Sequence, residues 1–238
     1  MTGTVVFDLD GTLADTAADL VAAANGCFSS RGLGALLDPV ADAGIAFHGG
    51  RAMLRAGYAR MPGDVILPHD AEDVDFLRLL DFYEADIARH TRLYDGVDDA
   101  LARLQDMGLI LSICTNKPGA LAEKLLSVLG IRDRFAALVG ADTLPVRKPD
   151  PVAYREAVLR AGGTVARSFL VGDTETDVKT ARAAGVRVAL VGFGPEGPGI
   201  ERLGPDYLLP DFAGLPELAQ RWLAADAAQG CSRAANQA

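Results

Sequence analysis

Thr4-Val5-Val6-Phe7-Asp8-Leu9-Asp10-Gly11-Thr12-Leu13 is the stretch on which the reading of this chain turns. Thr4 to Phe7 is a short β-branched and aromatic run, the composition of a buried strand. Two carboxylates follow it, then Gly11, which can take backbone angles that other residues resist. Open α/β sheets carry their chemistry at the carboxyl ends of parallel strands, where Asp8 and Asp10 fall. The two-residue period of extended chain puts both on one side, with Leu9 turned away. Carboxylates this close repel each other, so a cation or a shared proton is expected between them. An isolated Asp-X-Asp ahead of a glycine is most often a plain turn. Here the same spacing also fixes a hydroxyl at Thr12, which makes the string far more specific.

Outward from this segment the pattern changes. Asp15-Thr16 can cap a helix, and Leu20, Val21, Ala24, Cys27 and Phe28 recur at helical spacing. To about residue 90 the text is helical and rich in Ala, Leu and Arg. It is broken at Gly32-Leu33-Gly34, Gly49-Gly50 and Met61-Pro62-Gly63, and no strand-like run interrupts it. Regular alternation begins at Tyr94-Asp95-Gly96. Helices are expected over 97–107, 121–129, 151–161, 177–184 and 215–225, and strands over 109–114, 136–139, 168–171, 187–191 and 207–209. Strands separated by helices of this length mean βαβ units, a parallel sheet and right-handed crossovers. The expected division is an α/β core, 1–14 with 91–238, and a helical domain, 15–90, inserted after the first strand. The small polar tail, 226–238, is expected to fray.

Composition bounds the function. Half of the 238 residues are hydrophobic and 23% are charged, which allows one large globular domain or two unequal ones. A net charge of −9 argues against nucleic acid or an anionic membrane as partner. An anionic substrate would have to be met by local positive groups and metal. Arg outnumbers Lys 19 to 4, so each Lys raises the question of why it is there. Cys27, Cys114 and Cys231 are odd in number and in no metal-ligand pattern, which fits a reducing cytosol. The first strand opens at residue 4, leaving no room for a signal peptide, and no apolar run is long enough to span a bilayer. A cytoplasmic protein is expected.

Three later strand ends carry polar residues that the local pattern does not require. The second sheet strand ends in Thr115-Asn116-Lys117, where a hydroxyl and successive N–H groups opening a helix can cradle an anion, or simply cap that helix. Lys148 stands in Val146-Arg147-Lys148-Pro149-Asp150-Pro151, stiffened by two prolines, with Asp150 suited to a helix start. A compact point charge held there is the functional reading, and a solvated loop Lys the bland one. The strand 168–171 runs into Gly172-Asp173-Thr174-Glu175-Thr176-Asp177. That puts Asp173 at the tip and Asp177 one turn further on the same face, hard oxygen donors that suit Mg²⁺. The alternative there is an acidic first helical turn.

Taken in this order, the residues resemble the haloacid dehalogenase-like superfamily of phosphotransferases, over the whole length to about residue 225. Asp8-Leu9-Asp10-Gly11-Thr12, Thr115-Asn116, Lys148 and Gly172-Asp173 through Asp177 match its four motifs. Thr115-Asn116-Lys117-Pro118, Lys148-Pro149-Asp150-Pro151 and the helical insertion look like the phosphoglycolate phosphatase group. The resemblance implies a Rossmann-like parallel sheet with a helical cap domain after the first strand. It implies a Mg²⁺-dependent phosphomonoester hydrolase working through an aspartyl-phosphate on a small phosphorylated metabolite, 2-phosphoglycolate first. The alternatives are a pyrophosphatase, a sugar-phosphate or nucleotide phosphatase, a phosphoglucomutase, or a non-catalytic binding protein of the same fold. Asp8 would be the nucleophile and Asp10 the acid and then the base. Mg²⁺ would bridge Asp8, the Asp10 carbonyl and Asp173. Thr115, Asn116 and Lys148 would hold the phosphoryl group, with Thr12 among the substrate-binding residues. Asp177 would orient Lys148 or metal-bound water. A monomer or homodimer is expected.

The insertion departs from the group's glycine-flanked loop, reading Ala46-Phe47-His48-Gly49-Gly50-Arg51. His48 reads either as an ordinary loop residue or as facing substrate. Arg51 and Arg55, one helical turn apart, are either a solvated stripe or a reader of the substrate's carboxylate by bidentate contact.

Overall fold

The computed structural model describes residues 2–63 and 65–224. Strand β1 (Thr4–Phe7) is buried along its length, as a continuous β-branched run requires. The chain then forms the two-residue strand β2 (Ala14–Asp15) and helices α1 (Ala17–Ser30), α2 (Ala43–Ala46), α3 (Gly50–Tyr58) and α4 (Ala71–Ala85). Strand β3 (Arg92–Leu93) pairs with β2. Alternation follows: α5 (Val97–Asp106), β4 (Ile110–Cys114), α6 (Gly119–Val128), β5 (Ala137–Val139), α7 (Pro151–Arg160), β6 (Ser168–Gly172), α8 (Glu175–Ala184), β7 (Arg187–Val191) and β8 (Tyr207–Leu209). A last helix, α9, covers 215–224. The chain forms two compact units, Ala14–Arg92 and the remainder.

Six strands make one parallel sheet in the order β5-β4-β1-β6-β7-β8. Numbered along the chain, that is 3-2-1-4-5-6, a doubly wound Rossmann-like sheet whose direction of winding reverses between β1 and β6. In register, Val6 stands opposite Ser112 on one side and Leu170 on the other. On one face Val6, Val139, Leu170 and Leu190 pack with Tyr154, Val158 and Ala181 of α7 and α8. Such strands are apolar on both faces because helices cover both, so only their ends are open to solvent.

Within the helical unit, Asp75 of α4 is fully buried and takes Arg31 Nε at 2.6 Å and the Tyr58 hydroxyl at 2.7 Å. Asp19 of α1 accepts the N–H groups of His90 and Thr91 and the Thr91 hydroxyl, tying the start of the unit to its end.

Several local expectations change. The Thr16 hydroxyl is buried with no partner and does not cap α1; the Asp15 carboxylate accepts the Ala17 N–H instead. Helix α6 opens at Gly119 behind Pro118, so Thr115-Asn116 lie ahead of it and cap nothing. The β2–β3 ribbon is too short to carry a period-two signal. Helix α8 begins two residues earlier than its apolar pattern, at Glu175. Cys27 and Cys114 are buried free thiols, whereas Cys231, residue 225 and the tail fall outside the described residues. Among the described residues no helix is long and apolar enough to cross a membrane.

Candidate active site

The reversal point brings two strand ends together. The Asp8 N–H donates to the Val171 carbonyl at 2.9 Å, carrying the β1–β6 ladder one residue past the strand. The Asp8 carboxylate accepts the Leu9 N–H at 2.8 Å through Oδ1 and meets Lys148 Nζ at 2.9 Å through Oδ2. Gly11 then turns the chain at φ +79°, a left-handed value that glycine takes without strain. That turn aims Thr12 back under the site. Its hydroxyl, fully buried, donates to Asp173 Oδ1 at 2.6 Å across 161 residues of sequence. Thr12 therefore supports Asp173.

Lys148 enters from the loop ahead of α7. Asp150 caps that helix by accepting the Val152 N–H at 2.8 Å, and the Asn116 side-chain amide donates to the Lys148 carbonyl at 3.0 Å. So anchored, the Lys148 ammonium is buried between Asp8 and Asp177, 2.7 Å from Asp177 Oδ1. The other Asp177 oxygen accepts the Thr174 hydroxyl at 2.6 Å and the Thr174 N–H at 3.1 Å. Gly172 permits this, since a Cβ there would stand 2.4 Å from Asp177 Cγ.

Charge is unevenly matched. Asp8, Asp173 and Asp177 offer carboxylate oxygens within 4.8 Å of one another, against the single Lys148 ammonium among them. Burial pushes the Asp8 carboxyl up to about 6, against the pull of Lys148. Burial, then the charges of Asp8 and Asp177, hold Asp173 well above the usual carboxylate range. Burial alone would strip the proton from Lys148, but Asp177 and Asp8 outweigh it and keep the ammonium. Asp173 Oδ2 is buried and has no hydrogen-bond partner. An orphaned carboxylate oxygen beside a second carboxylate is what a hard divalent cation takes up. Asp177, with both oxygens already engaged, is the least suited of the three to bind metal directly.

At the end of β4, the buried Thr115 hydroxyl accepts the Lys117 N–H at 3.1 Å, which leaves its own proton to donate. The Asp10 carboxylate is 2.8 Å from Lys117 Nζ. The sequence by itself assigns Lys117 no role of its own, although its rarity is a usable signal. Of four lysines, Lys117 and Lys148 are buried at this site, while Lys124 and Lys179 lie exposed on helices.

The three residues singled out in the insertion, His48, Arg51 and Arg55, belong to the helical unit. The His48 ring Nδ1 lies 3.0 Å from the Gly44 carbonyl in an exposed turn. Arg51 contacts Glu72 Oε1 at 3.2 Å and Asp73 Oδ1 at 2.8 Å and lies over the Phe76 ring at 4.6 Å. Arg55 holds both Glu72 oxygens at 2.8 Å.

The sequence model of the haloacid dehalogenase-like hydrolases matches residues 5–191. A phosphoglycolate phosphatase of Mesorhizobium japonicum is 39% identical over 224 residues, covering 93% of this chain and 96% of that one. Another, of Caulobacter vibrioides, is 38% identical over 90% of this chain and 89% of its own. A crystal structure of a predicted phosphoglycolate phosphatase from Haemophilus somnus superposes with a TM-score of 0.81 at 24% identity, covering 91% of this chain and 97% of that one, and so shares the fold.

Proposed function

The chain belongs to the haloacid dehalogenase-like hydrolase family, and from that premise we propose that it is a Mg²⁺-dependent phosphatase that hydrolyses 2-phosphoglycolate. The observation that carries the reaction is the state of Asp8: a buried carboxylate, held by Lys148, beside an Asp173 oxygen with no partner. The names of the relatives support the substrate.

Asp8 attacks the phosphorus, the ester P–O bond breaks, and the leaving oxygen takes a proton from Asp10. The aspartyl-phosphate splits one hard displacement into two easier ones. In the second, Asp10 takes a proton from water as it attacks phosphorus, and the bond to Asp8 breaks to free phosphate. Lys148 neutralises charge on the transferring group, held in line by Asp177. The Thr115 hydroxyl and the Asn116 N–H hold phosphoryl oxygens, and the Asn116 side chain braces the Lys148 backbone. Asp8, Asp173 and the Asp10 carbonyl would hold Mg²⁺, with Asp177 orienting Lys148 behind them. When bound, the ion offsets the repulsion of the carboxylates and polarises the phosphoryl group. Within the helical unit, His48 and Arg51 are the candidate residues for recognising the non-phosphate end of the substrate. The enzyme works in the cytoplasm, as a monomer or homodimer.

The test is phosphate release from a panel of small phosphoesters, pyrophosphate, sugar phosphates and nucleotides included, with Mg²⁺ and after chelation. The expected result is Mg²⁺-dependent release with 2-phosphoglycolate ahead of the others. Asp8→Asn should lose roughly three orders of magnitude or more in kcat. Retention of more than a few per cent by that variant overturns the covalent route.

A further inference from the structure

Lys117 is a buried charge at this site that the reaction above does not use. Its side chain is 4% exposed, and its ammonium sits 2.8 Å from Asp10 Oδ1, whose own side chain is 20% exposed. The backbone around it is pinned on both sides. The Lys117 N–H donates to the Thr115 hydroxyl at 3.1 Å, and its carbonyl accepts the Ala141 N–H at 2.9 Å. Burying an ammonium is costly unless an anion meets it, so a Lys retained in this position is held there by Asp10 and in turn holds it. The contact spans 107 residues of sequence and joins the end of β1 to the end of β4.

We infer that Lys117 is a positioning residue for proton transfer by Asp10, fixing which carboxylate oxygen carries the proton and where it points. The inference rests on the reading of Asp10 as acid and base. An ammonium has donors and no acceptor. The oxygen it holds must therefore stay an acceptor, and any proton on Asp10 resides on Oδ2. With Oδ1 anchored, Oδ2 presents in one direction. In the first half-reaction the Asp8 oxygen bonds to phosphorus and the ester bond breaks with its electron pair on the leaving oxygen. That oxygen takes the Oδ2 proton, leaving an Asp10 carboxylate, still held by Lys117. In the second, Oδ2 removes a proton from the attacking water and is reset. Lys117 donates to Oδ1 throughout and touches neither substrate nor phosphorus.

A residue acting this way is exposed by the leaving group. An alkoxide such as that of glycolate needs a proton as it departs, whereas p-nitrophenolate needs almost none. The measurement is kcat/KM, which covers the chain of events up to leaving-group departure. Lys117→Met keeps length without charge, and Lys117→Gln stands in if that variant fails to fold by circular dichroism. Each should lose about 10²-fold for 2-phosphoglycolate, the lower end of what a placed acid contributes, and far less for p-nitrophenyl phosphate. Lys117→Arg, which can still donate to Oδ1, should recover part of the loss. In an Asp10→Asn background, Lys117→Met should add almost nothing, because its effect passes through Asp10. Equal losses on both substrates, no loss on either, or a full additional loss in the Asp10→Asn background each overturn the role. The last outcome would make Lys117 a binder of the substrate's carboxylate. If Asp10→Asn itself fails to separate alkyl from aryl substrates, the fault lies in the reading of Asp10, and the inference falls with it.

Discussion

Asp173 shows how much a single side chain's surroundings decide. One of its oxygens is satisfied by Thr12, and the other by nothing in the protein. Thr12→Val keeps shape and removes the donor, leaving a buried carboxylate with neither oxygen paired. The expected cost is about 1–3 kcal/mol of stability in urea titrations without metal. Half-maximal activity should also need more Mg²⁺. A rise in KM with Mg²⁺ affinity unchanged would instead return Thr12 to the substrate. In the sequence, Thr12 was legible as a hydroxyl at a telling spacing. Its partner was not, because Asp173 comes 161 residues later and nothing local to either residue names the other.

At the scale of elements, α3 and α4 present a cluster of unlike charges. Arg51 and Arg55 share Glu72, and Arg51 also meets Asp73, with all four side chains substantially solvated. Ion pairs this exposed are worth little, so Arg51 can exchange one carboxylate for another at small cost. If Arg51 reads the substrate's carboxylate through its planar fork, Arg51→Lys should raise KM for 2-phosphoglycolate by about tenfold, the value of one charge-assisted bidentate contact. KM for p-nitrophenyl phosphate, which has no carboxylate, should stay within a factor of two. Equal effects on both substrates would leave Arg51 to its pairing with Glu72 and Asp73. The helical spacing of the two arginines was evident from the sequence. Their acidic partners were not, since α4 begins 20 residues beyond Arg51 and its place beside α3 is a matter of packing.

The arrangement of the whole sheet decides where charge accumulates. Because β6 returns to the side of β1 opposite β4, Asp173 arrives beside Asp8, and three carboxylates face one ammonium. Such a site is strained without a cation and relaxed with one. Mg²⁺ should therefore raise the melting temperature, by an amount that grows with its concentration. Asp173→Asn should abolish that rise. Without metal the same variant should melt a few degrees above wild type, because an amide in place of the carboxylate ends one like-charge repulsion. A variant that still gains stability from Mg²⁺ would remove Asp173 from the ion.

What the sequence determined by itself is local. A β-branched run with two carboxylates at its tip, a proline-stiffened loop whose Asp150 caps α7, and alternating strands and helices each follow from propensity and period within a dozen residues. These were enough to name a parallel α/β sheet and to place Asp8, Asp10, Thr115, Lys148 and Asp173 at the ends of strands or loops. Tertiary structure decided who meets whom. Thr12 with Asp173, Lys148 with both Asp8 and Asp177, and Lys117 with Asp10 all depend on strand order, and the order 3-2-1-4-5-6 is written in no single segment. The physical reason is that the central strands are buried along nearly their whole length, so they read as similar apolar runs, and only the packing of helices on the two faces selects their neighbours.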